Sequence, residues 1–204
     1  MPIHRHVLVP LVLLLSGCDG ARRPAPTARI LPVPELRQDL AQGCGITAID
    51  MLVAYYDRPL HSTARDELRQ QVTDGGLNAT GLQEAFRQSG YESYLLRGRL
   101  AGGPDSLQHH LDRQRPLLVQ IRQRSHHWVL VIGTDPAREE VVLADPARGR
   151  IAYPHEEFEA LWHAADHLLL LAVPTAMPDA TGSPPSAGAD HASSSRAATS
   201  EPTP

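Results

Sequence analysis

Three polar side chains stand against apolar surroundings in this sequence: Cys44, His127 and Asp145. Cys44 lies between Gly43 and Gly45 at the head of "CGITAIDMLVAYYD". A helix beginning there presents free N–H groups and a partial positive charge, and both favour a thiolate. His127 opens the run "HWVLVIG", and Asp145 closes the run "EEVVLAD". An imidazole next to a thiol takes its proton, and a carboxylate on the far side of the ring fixes its tautomer. The oxyanion formed when a thiolate attacks a carbonyl needs hydrogen-bond donors. Gln38, six residues before Cys44, is a candidate donor, together with the Cys44 backbone N–H. Taken alone, Cys44 reads as a small apolar packing residue, and Asp145 as the start of an Asp-Pro turn. The chemical reading rests on all four residues meeting.

The elements that must position them follow from periodicity. Ile46, Ile49, Leu52, Val53 and Tyr56 recur at helical spacing, which predicts a helix starting at Cys44. Further helices are expected over 62–72, over 78–90 with Thr80 as cap and Gly90 as stop, over 104–115, and over 155–163. Strands are expected over 91–97, 116–122, 127–133, 139–145, near 150–153, and over 167–174. Helices come first and mostly adjacent strands afterwards. That order predicts an α+β fold with N-terminal helices packed on an antiparallel sheet.

The loop "TDPAR", residues 134–138, sets a register. It places Gly133 opposite Glu139, Val131 opposite Val141, Val129 opposite Leu143, and His127 opposite Asp145. Opposed residues share a face of the sheet. His126 then faces Pro146 and points to the other side. This register selects His127 over its neighbour.

Other polar groups read as structure. His109 and His110 on a short helix are expected on a solvated surface. Phe158 and Trp162 at helical spacing are expected in the core, and Gly75-Gly76 reads as a turn. The His126-His127 step points its rings to opposite faces and has no compact ligand cluster around it, so no metal or other cofactor is expected.

The chain has 204 residues and a formal net charge of −4, and all 19 basic residues are arginine. Mild acidity gives no argument for nucleic acid as a partner. The start of the chain, residues 1–17, reads as a signal peptide: His4-Arg5-His6, the apolar run "VLVPLVLLL", then "LSGC" at 15–18. "LSGC" resembles the lipobox of bacterial lipoproteins, which implies acylation of Cys18 and a lipid anchor in the membrane. Asp19 after that cysteine resembles the inner-membrane retention signal. The resemblance therefore implies a lipid-anchored protein of the bacterial cell envelope, on the inner membrane facing the periplasm. Cys44 is then the one remaining thiol, in a compartment where cysteines are usually paired. Residues 18–34, rich in Pro, Ala and Arg, read as a tether. The folded domain is expected over 35–173, and the Pro/Ser/Ala-rich stretch 174–204 as a disordered tail.

The motifs "Q-x5-C-G-x3-A" around Cys44, "HHWVLVIG" and "VVLADPARG" resemble the C39 (bacteriocin-processing, double-glycine) peptidase family and its C39-like relatives. The resemblance covers about 35–173. It implies a papain-like fold, Cys44 as nucleophile, His127 as base, Asp145 as its partner, and Gln38 in the oxyanion hole. Many family members carry an acidic residue just before the cysteine, where this chain has Gly43. Transporter-type members continue into a membrane-spanning region and an ATPase, and this sequence resembles instead a stand-alone lipoprotein member. The expectation is a membrane-tethered cysteine peptidase acting on a peptide or protein substrate without a cofactor. Two alternatives are acyl transfer of the transglutaminase kind on the same residues, and a non-catalytic peptide-binding lipoprotein.

Overall fold

The computed structural model describes residues 20–39, 43–72 and 77–175. The signal peptide, Cys18, Asp19, the Gly75-Gly76 turn and the tail from residue 176 lie outside the described residues.

The elements run β1 (Arg29–Ile30), α1 (Cys44–Tyr55), α2 (Ser62–Gln71), α3 (Ala79–Gln88), β2 (Tyr91–Arg97), α4 (Leu107–Leu111), β3 (Leu117–Arg122), β4 (His126–Asp135), β5 (Glu140–Asp145), β6 (Gly149–Pro154), α5 (His155–His163) and β7 (Leu168–Pro174). The main sheet has the order β2-β7-β3-β4-β5-β6, and β1 pairs with β4. Each of these strand pairings is antiparallel. This is the expected α+β architecture.

Alternation along the strands divides the apolar side chains between two cores. Leu118, Leu130, Ile132, Val142, Ala144 and Leu170 face α1, α2 and α3. Val119, Ile121, Val129, Val131, Leu143 and Leu169 face α5, with its fully buried Phe158 and Trp162. Both faces are covered, so β5 is buried along its whole length.

Several expectations are corrected. Asn78, not Thr80, caps α3, its side chain accepting the Gly81 N–H. Gly90 stops that helix with φ +76°, as its position suggested. The helix expected over 104–115 shrinks to five residues, capped by Ser106. His110 is buried there, not solvated, and the low-dielectric surroundings hold its pKa below the usual imidazole value. The domain also extends past both expected limits. Pro174 closes β7, and the Thr175 N–H donates to the Gly90 carbonyl at 3.0 Å.

At the other end, residues 20–33 run as a strap along the sheet. The Gly20 N–H donates to Glu157 at 2.7 Å, Arg22 and Ala152 exchange backbone bonds, and Thr27 Oγ1 donates to Asp135 at 2.7 Å. Val33 is buried. The crossing of β1 over β4 depends on Gly133. A methyl group there would lie 2.1 Å from the Arg29 carbonyl oxygen. Compositional bias concealed this, because Pro, Ala and Arg dominate a segment whose order comes from tertiary pairing.

Candidate active site

Cys44 is the first residue of α1, and no acidic residue in the first turn opposes the positive end of the helix. Gly45 lets that end sit close to the sheet: a Cβ there would be 3.2 Å from Leu77 and 3.4 Å from Trp128. The Trp128 ring is fixed by its Nε1–H donating to the Leu77 carbonyl at 3.0 Å. This close approach brings the backbone N–H groups of Trp128 and Gly45 to the Cys44 sulfur.

His127 is a residue of β4, mostly buried, with 16% of its side chain exposed. Its Nε2 lies 2.9 Å from Asp145 Oδ1. Cys44 and His127 interact directly, each shifting the other's pKa. The structure thus brings Cys44, His127 and Asp145 together. His126 points away, its Nδ1 2.8 Å from Gln120 Oε1 on the exposed side.

The register that achieves this is not the expected one. β4 continues to Asp135, which pairs with Glu140. The turn occupies 136–139, where the Asp135 carboxylate accepts the Ala137 N–H and Glu139 has φ +51°. Gly133 lies opposite Val142 rather than Glu139, a slip of three residues. An odd slip would put His127 and Asp145 on opposite faces. A β-bulge between Val131 and Gly133 removes one residue of it, so Val131 lies opposite Leu143 and the net slip is two. The even remainder returns both side chains to one face, diagonal rather than directly opposed.

Burial would raise the Cys44 pKa, but hydrogen bonds from His127 and the Trp128 N–H, with the imidazolium charge, bring it below the usual thiol value. Burial would likewise lower that of His127, yet Asp145 and Cys44 raise it to about 9. Asp145, fully buried, is brought down to about 2 against the cost of burial by His127, the Ala147 N–H and Arg148. Each direction favours the charged form of its group: thiolate, imidazolium and carboxylate.

Two further residues were not singled out from the sequence. Arg148 donates through Nε to Asp145 Oδ2 at 3.1 Å, while the Ala147 and Arg148 N–H groups donate to Oδ1 at 2.7 and 3.2 Å. Tyr153 accepts from Arg148 through its hydroxyl and from Gln123 Nε2 at 3.0 Å. The i, i+3 spacing of Asp145 and Arg148 was the available signal; the partnership with Tyr153 crosses a turn and needed the fold.

Gln38 lies beside the same turn. Its N–H donates to the Pro146 carbonyl at 2.9 Å, and the neighbouring Arg37 donates to the Ala147 carbonyl at 2.9 Å. Arg37 and Gln38 are therefore anchored to the loop that carries Asp145.

Residues 33–175 match the Peptidase C39 family. This chain belongs to that family. Its C39 region is 28% identical over 121 residues to the lactococcin-G-processing and transport ATP-binding protein LagD of Lactococcus lactis subsp. lactis. That alignment covers 58% of this chain and 16% of LagD, so the chain spans well under a quarter of that relative. The C39 fold agrees with solved structures. A double-glycine-motif protease from an AMS/PCAT transporter, in complex with the leader peptide, superposes with a TM-score of 0.55 at 23% identity, covering 72% of this chain and 94% of that one. A C39-like protein from Bacillus anthracis superposes with a TM-score of 0.59 at 16% identity, covering 74% and 99%.

Proposed function

We propose that this C39 chain hydrolyses peptide bonds through Cys44. The observation that carries the reading is the meeting of Cys44, at the start of α1, with His127 and its hydrogen-bonded partner Asp145. The Cys44 thiolate attacks the scissile carbonyl carbon, forming a C–S bond and an oxyanion. The Cys44 N–H and the Gln38 carboxamide hold that oxygen. The oxyanion collapses, the C–N bond breaks, and the His127 imidazolium protonates the departing amine. Water then attacks the thioacyl-enzyme and gives its proton to His127. Release of the carboxylic acid restores the thiolate. Asp145 orients the ring throughout and stabilises its charge. A peptide substrate is supported by the related protease held with its leader peptide.

The pH dependence tests the ion pair. Activity needs the thiolate, whose pKa is lowered, and the imidazolium, whose pKa is about 9. The value of kcat/KM should rise as the thiol ionises below the usual thiol range, level off, and fall as His127 loses its proton near pH 9. Alkylation of native Cys44 by iodoacetamide should be fast on that plateau and lose its advantage in unfolded protein. A rate that instead climbs with the ionisation of an ordinary thiol would reject the pair.

Gln38→Ala removes one oxyanion donor. It should lower kcat by about 10²–10³ with a much smaller change in KM. An unchanged kcat would place the carboxamide outside the oxyanion site.

We also propose that acylated Cys18 tethers the protein to the periplasmic face of the inner membrane. The support is the "LSGC" sequence followed by Asp19. Cys18→Ser should move the protein from the membrane to the soluble fraction; continued membrane association would reject the anchor. Recovery of the wild type with outer-membrane markers would reject the inner-membrane assignment.

A further inference from the structure

We propose that a cluster of arginines beside the Asp145 turn is an exosite for acidic peptide segments, and that it selects substrates rich in Glu and Asp. The inference rests on the peptidase reading and names its substrate class. A surface cavity of about 530 Å³ lies between the strap and β6. Arg23, Arg37, Arg148 and Arg150 line it, with Glu35 as the one acidic lining residue. Arg37 is paired with Glu35 and Arg148 with Asp145, so the excess positive charge of the cavity is carried by Arg23 and Arg150.

Three of the guanidinium groups are held in place. Arg37 donates to the Ala147 carbonyl, Arg150 to the Val33 carbonyl at 3.2 Å, and Arg148 to Asp145. Holding them in place reduces the entropy lost when a carboxylate binds, and the planar fork suits carboxylate oxygens. The remaining lining is aliphatic or proline, with no aromatic ring on which a nucleotide base would stack. A peptide suits this combination better than a nucleic acid.

Position ties the cavity to the reaction. Arg148 touches Asp145 directly. Arg37 also lines a second cavity, of about 480 Å³, which includes Gly43 next to the nucleophile and Ile46, Arg65 and Arg69. In that cavity Arg65 is paired with Asp50. A peptide running from the cavity beside Gly43 into the basic cavity passes Arg37, which lines both. Its carboxylates would be drawn in by the local field, and the attraction would weaken with salt.

The test uses the full-length Cys44→Ala protein and two fluorescein-labelled peptides, alike except for Glu-Glu-Glu in one and Gln-Gln-Gln in the other. Anisotropy at about 20 mM salt should show about tenfold tighter binding of the Glu peptide, shrinking toward parity at about 200 mM. Arg23→Glu, on an exposed side chain, should remove most of that preference, and Arg23→Ala/Arg150→Ala all of it. Equal affinities at low salt, or a preference untouched by Arg23→Glu, would overturn the exosite. So would binding to phosphatidylglycerol vesicles without any peptide preference. Hydrolysis of both peptides by wild-type protein is followed in parallel. A Glu preference in binding without turnover would sink the peptidase reading alone; turnover without preference would sink the exosite alone.

Discussion

Cys44→Ala is expected to abolish peptide hydrolysis while the protein still folds. The side chain is only half-buried, and Ala favours a helix start no less than Cys does. The loss of packing is therefore small. The chemistry has no substitute: His127 and Asp145 act only through the sulfur. In such units, removing the nucleophile costs about as much as removing the whole set, on the order of 10⁶ in kcat. The measurement is turnover of a peptide substrate, with circular dichroism and melting to show that the fold persists. Turnover near wild type in the folded variant would remove the hydrolytic assignment.

The second large effect separates two adjacent histidines. His127→Ala should lower kcat by about 10⁴–10⁶, because the leaving amine loses its proton donor and the thiolate loses its counter-ion. His126→Ala removes an exposed contact with Gln120 and should leave activity within about threefold of wild type. The pair is informative because the two rings are one residue apart in chain and on opposite sides of the strand. The reverse outcome would mean that the ring bonded to Asp145 is not the working one.

How much of this was legible beforehand varies by element. Helix α5 was legible to the residue, since Phe158 and Trp162 give a clear period between two strands. Strand β1 was not: two residues in a Pro-rich stretch carry no periodicity, and their order comes from Gly133 on a distant strand. The site was legible as a set of residue types, because Cys44, His127 and Asp145 each interrupt an apolar run. Its register was not legible. The expected register was wrong at Gly133 by three residues, and a bulge that leaves no mark in the sequence corrected the parity. The choice of His127 agreed with the geometry, but the face it shares with Asp145 depends on that bulge. The supporting groups, Arg148, Tyr153 and the Trp128 N–H, needed three-dimensional neighbours to be seen.

The strap has a consequence for how the domain is carried. Two fully buried carboxylates, Asp135 and Glu140, find partners on it. Thr27 donates to the first, and Arg22 pairs with the second at 2.5 Å, with Arg138 at 3.6 Å behind. Peeling the strap away would leave buried charge poorly compensated, which is costly. The segment is thus a mooring and not a leash. The described chain begins at Gly20, held beside Glu157. β4 runs from His127 to Thr134, the residue paired with Arg29, and seven residues at about 3.3 Å each span roughly 20 Å. Where it pairs as β1, the strap is berthed at the end of β4 away from His127 and the nucleophile beside it.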